Sequence, residues 1–184
     1  MIYEPAEDSF LLEKYVKIYS KGNVLDMGCG SGIQSLASKG NVLSVDINEE
    51  AVEFCKQRGL NAIQSDLFSN INGKFDLIIF NPPYLPKDND EDPESALITT
   101  GGKTGMEILE RFFYEVREYL VPNGKILLVC SSLTGDIEKL FKKNSFNFKL
   151  LETKNYFFEE LRIYLVFESL LTKGLSDTFK KSSS

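Results

Sequence analysis

The chain has 184 residues, 42% apolar and 26% charged, which suits one domain with a sizeable core and excludes a disordered segment. Lys plus Arg total 21 against Asp plus Glu 27, a net charge of −6 that argues against broad, sequence-independent grip on nucleic acid. Histidine is absent, so an imidazole base, a histidine metal ligand and a Ser-His-Asp relay are excluded before any motif is considered.

Cys29, Cys55 and Cys130 form no CxxC pair, so neither a disulfide framework nor a structural zinc site is indicated, and no metal site is expected. The start lacks a basic region leading into an apolar core, and no run approaches about 18 apolar residues. A cytoplasmic protein with no membrane contact is expected.

In chain order, Ser9 to Tyr19 carries Phe10, Leu11, Tyr15 and Ile18 at helical spacing, with Asp8 or Ser9 as N-cap. Val24 to Met27 reads as the first strand, followed by a Gly-rich turn and a helix over Ser31 to Ser38. Val42 to Asp46 is the second strand, and Asn48 caps a helix that stops near Gly59. Ala62 to Ser65 is a short third strand and Phe75 to Phe80 a strongly apolar fourth, which the two prolines of Asn81-Pro82-Pro83-Tyr84 must end. Leu85 to Lys103 reads as one long loop, acidic at Asp88, Asp90, Glu91, Asp92 and Glu94. Met106 to Leu120 is an amphipathic helix closed by the turn Val121-Pro122-Asn123-Gly124, and Ile126 to Cys130 is a fifth strand. After a helix over Gly135 to Lys143, Phe148 to Thr153 and Leu161 to Glu168 are strands joined too closely for a crossover, hence an antiparallel edge hairpin. The pattern is α/β, a seven-stranded and mostly parallel sheet, with one domain over residues 1–170 and a flexible C-terminal tail over residues 171–184.

Leu25-Asp26-Met27-Gly28-Cys29-Gly30-Ser31-Gly32 places a GxGxG turn between a strand and a helix, where absent Cβ atoms admit a bulky ligand. Asp26 would repel a pyrophosphate but attract an ammonium, directly or through water, as in the methionine part of S-adenosylmethionine. Asp46 ends the second strand, where a carboxylate can accept both hydroxyls of a ribose. Asp66 can accept from an adenine amino group while Leu67 contacts the ring. Asn81-Pro82-Pro83-Tyr84 reaches the same sheet edge: the Asn81 side-chain oxygen and the Pro82 carbonyl can accept both hydrogens of a planar NH2, and Tyr84 can pack on its plane. Orienting such a group towards a sulfonium methyl needs no general base.

These residues resemble the class I methyltransferases, and more closely the HemK-like protein glutamine methyltransferases that modify translation release factors. The opening Tyr3-Glu4-Pro5-Ala6-Glu7-Asp8-Ser9-Phe10-Leu11-Leu12, the glycine loop and NPPY are similar to the short archaeal and eukaryotic branch. The resemblance implies a Rossmann-like three-layer fold with strand order 3-2-1-4-5-7-6 and S-adenosylmethionine as donor. It implies transfer to the glutamine amide of a release factor's Gly-Gly-Gln loop. Asn81, Pro82, Pro83 and Tyr84 are the implied catalytic segment, and Ser9, Asp26, Gly28, Gly30, Asp46, Asp66, Leu67 and Asn81 the implied donor site. Ser9 and Asp26 stand where better-known members carry Thr and Glu. The branch also implies a small zinc-binding activator of the Trm112 type, paired with the sheet edge near the third strand.

The alternatives are transfer to an exocyclic amino group of adenine or guanine in DNA or RNA, and broader protein methylation including lysine. Net charge and the lack of a base-extruding domain oppose the first, so nucleic acid is not expected as a direct substrate. Lysine must lose a proton before attack, and the sequence offers no evident base.

Overall fold

A computed structural model of the chain describes residues 2–83, 100–156 and 159–169. Its elements are α1 (Glu7–Tyr19), β1 (Asn23–Met27), α2 (Ile33–Ala37), β2 (Asn41–Asp46), α3 (Glu49–Gln57), β3 (Ala62–Gln64) and β4 (Phe75–Phe80). There follow α4 (Glu107–Glu115), a 3-10 turn (Val116–Tyr119), β5 (Leu120–Ser131), α5 (Ile137–Lys143), β6 (Phe146–Asn155) and β7 (Glu160–Glu168). Tyr84, the acidic loop from Asp88 to Glu94 and the tail over residues 171–184 lie outside the described residues.

The seven strands form one sheet in the order β3-β2-β1-β4-β5-β7-β6. Pairing is parallel from β3 through β5, and β7 runs antiparallel to both β5 and β6, which is the edge hairpin and the strand order expected. Strand alternation splits the core between the two sheet faces. Leu77 and Ile79 of β4 join Leu127 and Val129 of β5 beneath Leu12 and Val16 of α1. Ile78 and Phe80 instead join Ile126 and Leu128 on the opposite face, beneath Phe112 and Phe113 of α4 and Phe141 of α5. Aromatic rings dominate that second layer: Phe112 stands 4.7 Å from Phe80 and 5.2 Å from Phe113, which is 5.2 Å from Phe141. Among the described residues, no helix is long and apolar enough to cross a membrane.

Two expectations are corrected. The helix over Met106 to Leu120 ends at Glu115, and Val121-Pro122-Asn123-Gly124 is not a turn before a strand but an irregularity within β5. Leu120 pairs with Phe75 and the register resumes only at Leu77↔Lys125, so Pro122, which has no N–H to donate, falls in the bulged part of the strand. At the other end, α1 begins before Asp8 and Ser9, with Ala6 at the N-cap and no side-chain cap. The Asp8 carboxylate is engaged instead by the Tyr3 hydroxyl and the Asn81 amide, which draws it away from capping.

One carboxylate lies within the sheet. Asp26 on β1 is 1% exposed and accepts from the Ser35 hydroxyl of α2 at 2.6 Å. With the single Ser35 proton used there, Ser44 of β2 donates to Ser35 at 2.6 Å. Burial pushes the Asp26 carboxyl up to about 7, against the opposing pull of Ser35.

Phe112→Ala should cost about 3–5 kcal/mol in denaturant unfolding, because Phe112 is fully buried. Tyr114→Ala, at a position of the same helix that is 86% exposed, should stay within about 0.5 kcal/mol. Asp26 sets a pH dependence. Because its folded-state value is raised above the usual carboxylate range, its contribution is fully present below about pH 4 and lost as pH rises through about 7. Wild type should therefore lose stability relative to Asp26→Asn between pH 5 and 8, on the order of a few kcal/mol, measured by urea unfolding at each pH. Parallel profiles for the two proteins would refute the assignment.

Candidate active site

A cavity of about 280 Å³ opens at the carboxyl ends of β1, β2 and β4. The sheet register creates it: Met27 is level with Val45 on one side and Phe80 on the other, so the residues following each strand emerge together. This is the edge at which open α/β sheets bind ligands.

The floor is the glycine loop. Gly28, Gly30 and Gly32 have φ of +68°, +48° and +77°, a conformation that costs glycine little and other residues more. At Gly32 space is also closed, because a Cβ there would come within 2.6 Å of Leu60 Cδ1. The loop is tied to β2 twice, as Cys29 N donates to the Val45 carbonyl at 2.8 Å and Gly30 N to Asp46 Oδ2 at 2.8 Å. The second Asp46 oxygen accepts from Asn48 N at 2.9 Å. Burial raises the Asp46 carboxyl from its usual value, and these backbone bonds oppose the rise. Each oxygen retains acceptor capacity for a ligand hydroxyl. Cys29 Sγ lies 3.6 Å from Cys55 Sγ; that contact, then burial, raises the Cys29 thiol, as expected of a filler rather than a nucleophile.

The segment after β3 forms one wall. Leu67 has a φ of +46°, unusual for a bulky residue, and Ser65 braces it by donating its hydroxyl to the Leu67 carbonyl at 2.7 Å. Asp66, half exposed, is paired with Arg111 of α4 at 2.9 Å. On the opposite wall, Gln34 Nε2 donates to the Ser9 carbonyl at 2.9 Å, and Ser9 Oγ donates to Asp8 Oδ1 at 3.1 Å. The Tyr3 hydroxyl lies 3.0 and 2.9 Å from the two Asp8 oxygens. Burial, then Asp8, raises the phenol well above its usual value, so Tyr3 stays a proton donor.

Asn81 completes the ring. Its Nδ2 donates to Asp8 Oδ2 at 3.2 Å, while its Oδ1 is buried without a partner among the described residues. Gln34 Oε1 is a second such atom, and both Gln34 and Asn81 belong to the cavity lining. Buried acceptors left unmatched are costly, so a cavity with two of them fits a ligand rich in N–H groups. The returning segment closes against the prolines: a Cβ on Gly101 would come within 2.6 Å of the Pro83 carbonyl.

Of the residues singled out in the sequence, Ser9, Gly28, Gly30, Asp46, Asp66, Leu67, Asn81, Pro82 and Pro83 line this one cavity. Asp26 does not. It lies beneath the loop and holds Ser35, since alternation along β1 turns it to the face of Val24. Sequence reasoning missed Tyr3, Asp8, Gln34 and Arg111, all cavity-lining. The opening decapeptide contains the first two, and its polar run before a helix was the available signal.

The methyltransferase small domain model matches residues 7–158. A Methanocaldococcus jannaschii relative carrying the name protein N5-glutamine methyltransferase is 44% identical over 161 residues, 81% of this chain and 82% of the relative. The solved E. cuniculi Mtq2–Trm112 complex, described as methylating the eRF1 translation termination factor, is 27% identical with a TM-score of 0.74, covering 91% of this chain and 99% of that one. A Bacteroides fragilis S-adenosylmethionine-dependent methyltransferase in complex with S-adenosyl-L-homocysteine matches at a TM-score of 0.62 and 18% identity, covering 90% and 78% respectively, and shares the fold. With the motif residues gathered at one sheet edge and most of its length matched, the chain belongs to the methyltransferase small domain family, in its HemK-like branch of protein glutamine methyltransferases.

Proposed function

We propose that the protein transfers a methyl group from S-adenosylmethionine to the side-chain amide of a glutamine in the Gly-Gly-Gln loop of a translation release factor. The observation that carries this is Asn81 Oδ1, a buried acceptor without a partner among the described residues, at the end of β4, beside Pro82 and above the glycine loop. A glutamine amide offers two hydrogens, which Asn81 Oδ1 and the Pro82 carbonyl can accept together.

In this reading Asp46 takes the ribose hydroxyls and the Gly28 to Gly30 backbone passes beneath the donor. Asp66 and Leu67 hold the adenine, Asp66 exchanging part of its exposed Arg111 contact for the amino group. Gln34 Oε1 supplies an acceptor for the ammonium end, and Asp26 acts from below by holding Ser35 in the middle of α2. The donor supplies an electrophilic methyl: the amide nitrogen forms the N–C bond, the S–C electron pair stays on sulfur as S-adenosyl-L-homocysteine forms, and the nitrogen proton passes to water. Asn81 and Pro82 orient the amide and favour positive charge developing on its nitrogen.

A lysine ammonium would need a base. Asp8 stands nearest, but it already accepts from Tyr3 Oη, Ser9 N, Ser9 Oγ and Asn81 Nδ2, and a carboxylate has about four lone-pair sites. Lysine is therefore disfavoured.

We place the site in a heterodimer in the cytoplasm. β3 is only three residues long and pairs with β2 alone among the described residues. Ile47, bonded through its carbonyl to Gln64 of β3 at 3.0 Å, is 49% exposed, and Phe54 of α3 is 38% exposed. A Trm112-type activator seated there would cover both the open edge and these apolar side chains.

Incubating the protein with donor and either release factor or nucleic acid, then mapping the methyl group by mass, should show it on the Gly-Gly-Gln glutamine. A methylated base with unmodified glutamine would overturn the proposal. Asn81→Ala should lower kcat by about 10²–10³-fold while leaving donor affinity, read by calorimetry, nearly intact. Co-expression with the activator should raise soluble yield and turnover and give a 1:1 complex by light scattering. Full activity from a monodisperse lone chain with no affinity for the activator would refute the heterodimer.

A further inference from the structure

Asn81 can do its work only if its amide is the right way round, since the same side chain rotated by half a turn would present two hydrogens to a substrate that also presents hydrogens. Asp8 is the group that decides this. Its carboxylate is an acceptor only, so the face of Asn81 turned towards it must be the NH2. The bond from Asn81 Nδ2 to Asp8 Oδ2 is 3.2 Å, and it leaves Oδ1 as the buried atom without a partner among the described residues.

Asp8 is itself immobilised. It is 4% exposed, the Tyr3 hydroxyl bridges both its oxygens at 3.0 and 2.9 Å, and Ser9 donates to it from N at 2.5 Å and from Oγ at 3.1 Å. Gln34 on α2 anchors the same turn through the Ser9 carbonyl at 2.9 Å. Helix α1 thus carries a rigid acceptor across 73 residues of sequence to the end of β4.

We propose that Asp8, held by Tyr3, is a positioning residue that locks the Asn81 amide with Oδ1 towards the substrate nitrogen. The proposal rests on Asn81 being the acceptor of the substrate NH2, as above, and adds what enforces that state. Without Asp8 the two amide orientations become comparable, and part of the population presents the wrong group.

The test pairs kinetics with a spectroscopic reading of Asn81. The Nδ2H2 pair of Asn81, identified by its absence from the 1H–15N spectrum of Asn81→Ala, should exchange slowly with water in the wild type. In Asp8→Ala its protons should shift, and their exchange should accelerate about tenfold or more, the ratio that separates a charge-assisted bond from none. Turnover should fall by about 10–10²-fold, the usual loss when a positioned group is misplaced, while donor affinity changes less than about threefold. A merely structural role would weaken donor binding and thermal stability together with kcat. Asp8→Asn keeps the volume but offers both a donor and an acceptor, so it should give an intermediate loss even if Asp8→Ala does not fold, and Tyr3→Phe should give a smaller loss in the same direction. Unchanged Asn81 signals and turnover within twofold of wild type in folded Asp8→Asn would overturn the proposal. Failure of the wild type to methylate glutamine would overturn the functional reading instead, leaving the amide spectrum to decide the role of Asp8.

Discussion

Parallel register between β1, β2 and β4 is the constraint from which the site follows. Met27 sits level with Val45 and with Phe80, so a glycine turn, the carboxylate of Asp46 and the amide of Asn81 leave the sheet at one height and within one cavity. Interior side chains hold that register, since a one-residue slip would exchange Ile78 and Phe80 for Leu77 and Ile79 between two differently shaped layers. The ring of Phe112 against Phe80 therefore acts on the site as well as on stability. It fixes the residue immediately before Asn81.

The cavity so formed is rich in acceptors. Asp46, Gln34 and Asn81 line it with acceptor oxygens, while Asp8 already takes the hydroxyl hydrogens of Tyr3 and Ser9. A ligand bearing ammonium, hydroxyl and amide hydrogens satisfies these groups, and one bearing phosphates does not. The absence of histidine from the chain fits the same logic, because orienting a neutral amide calls for acceptors in place rather than a group that titrates near neutrality.

Most of the fold was legible because its signals are local. Glycine spacing, the paired prolines after β4, the Asn48 cap, whose side chain accepts from Glu50 N, and the apolar period of each strand all act within a few residues. What could not be read depended on partners far away in sequence. Asp8 resembles an N-cap until Asn81 arrives from 73 positions later, and Asp66 appears free until Arg111 is brought to it by α4. Asp26 is placed at the donor by its charge beside the glycines and by the family resemblance, whereas strand alternation sends its side chain below the loop to Ser35. The Pro-Asn-Gly segment reads as a turn, but pairing of Leu120 with Phe75 begins the strand before it and turns the same residues into a bulge.

Asp26 and Asp8, both buried, and the half-buried Asp46 differ in how their charge is met, and the difference assigns them different work. Asp26 has the Ser35 hydroxyl and is raised to about 7 by burial, so near neutrality it is divided between a neutral acid and a carboxylate and serves as a support that need not carry charge. Asp46 is met by two backbone N–H groups and keeps room for more donors, which suits a hydroxyl-bearing ligand. Asp8 is met by hydroxyl, backbone and amide donors at once, so its charge is spent on geometry rather than on proton transfer. In the proposed reaction positive charge passes from sulfur towards the acceptor nitrogen, hence towards Asn81 Oδ1 with Asp8 behind it. A fixed negative group on that side favours the transfer without moving.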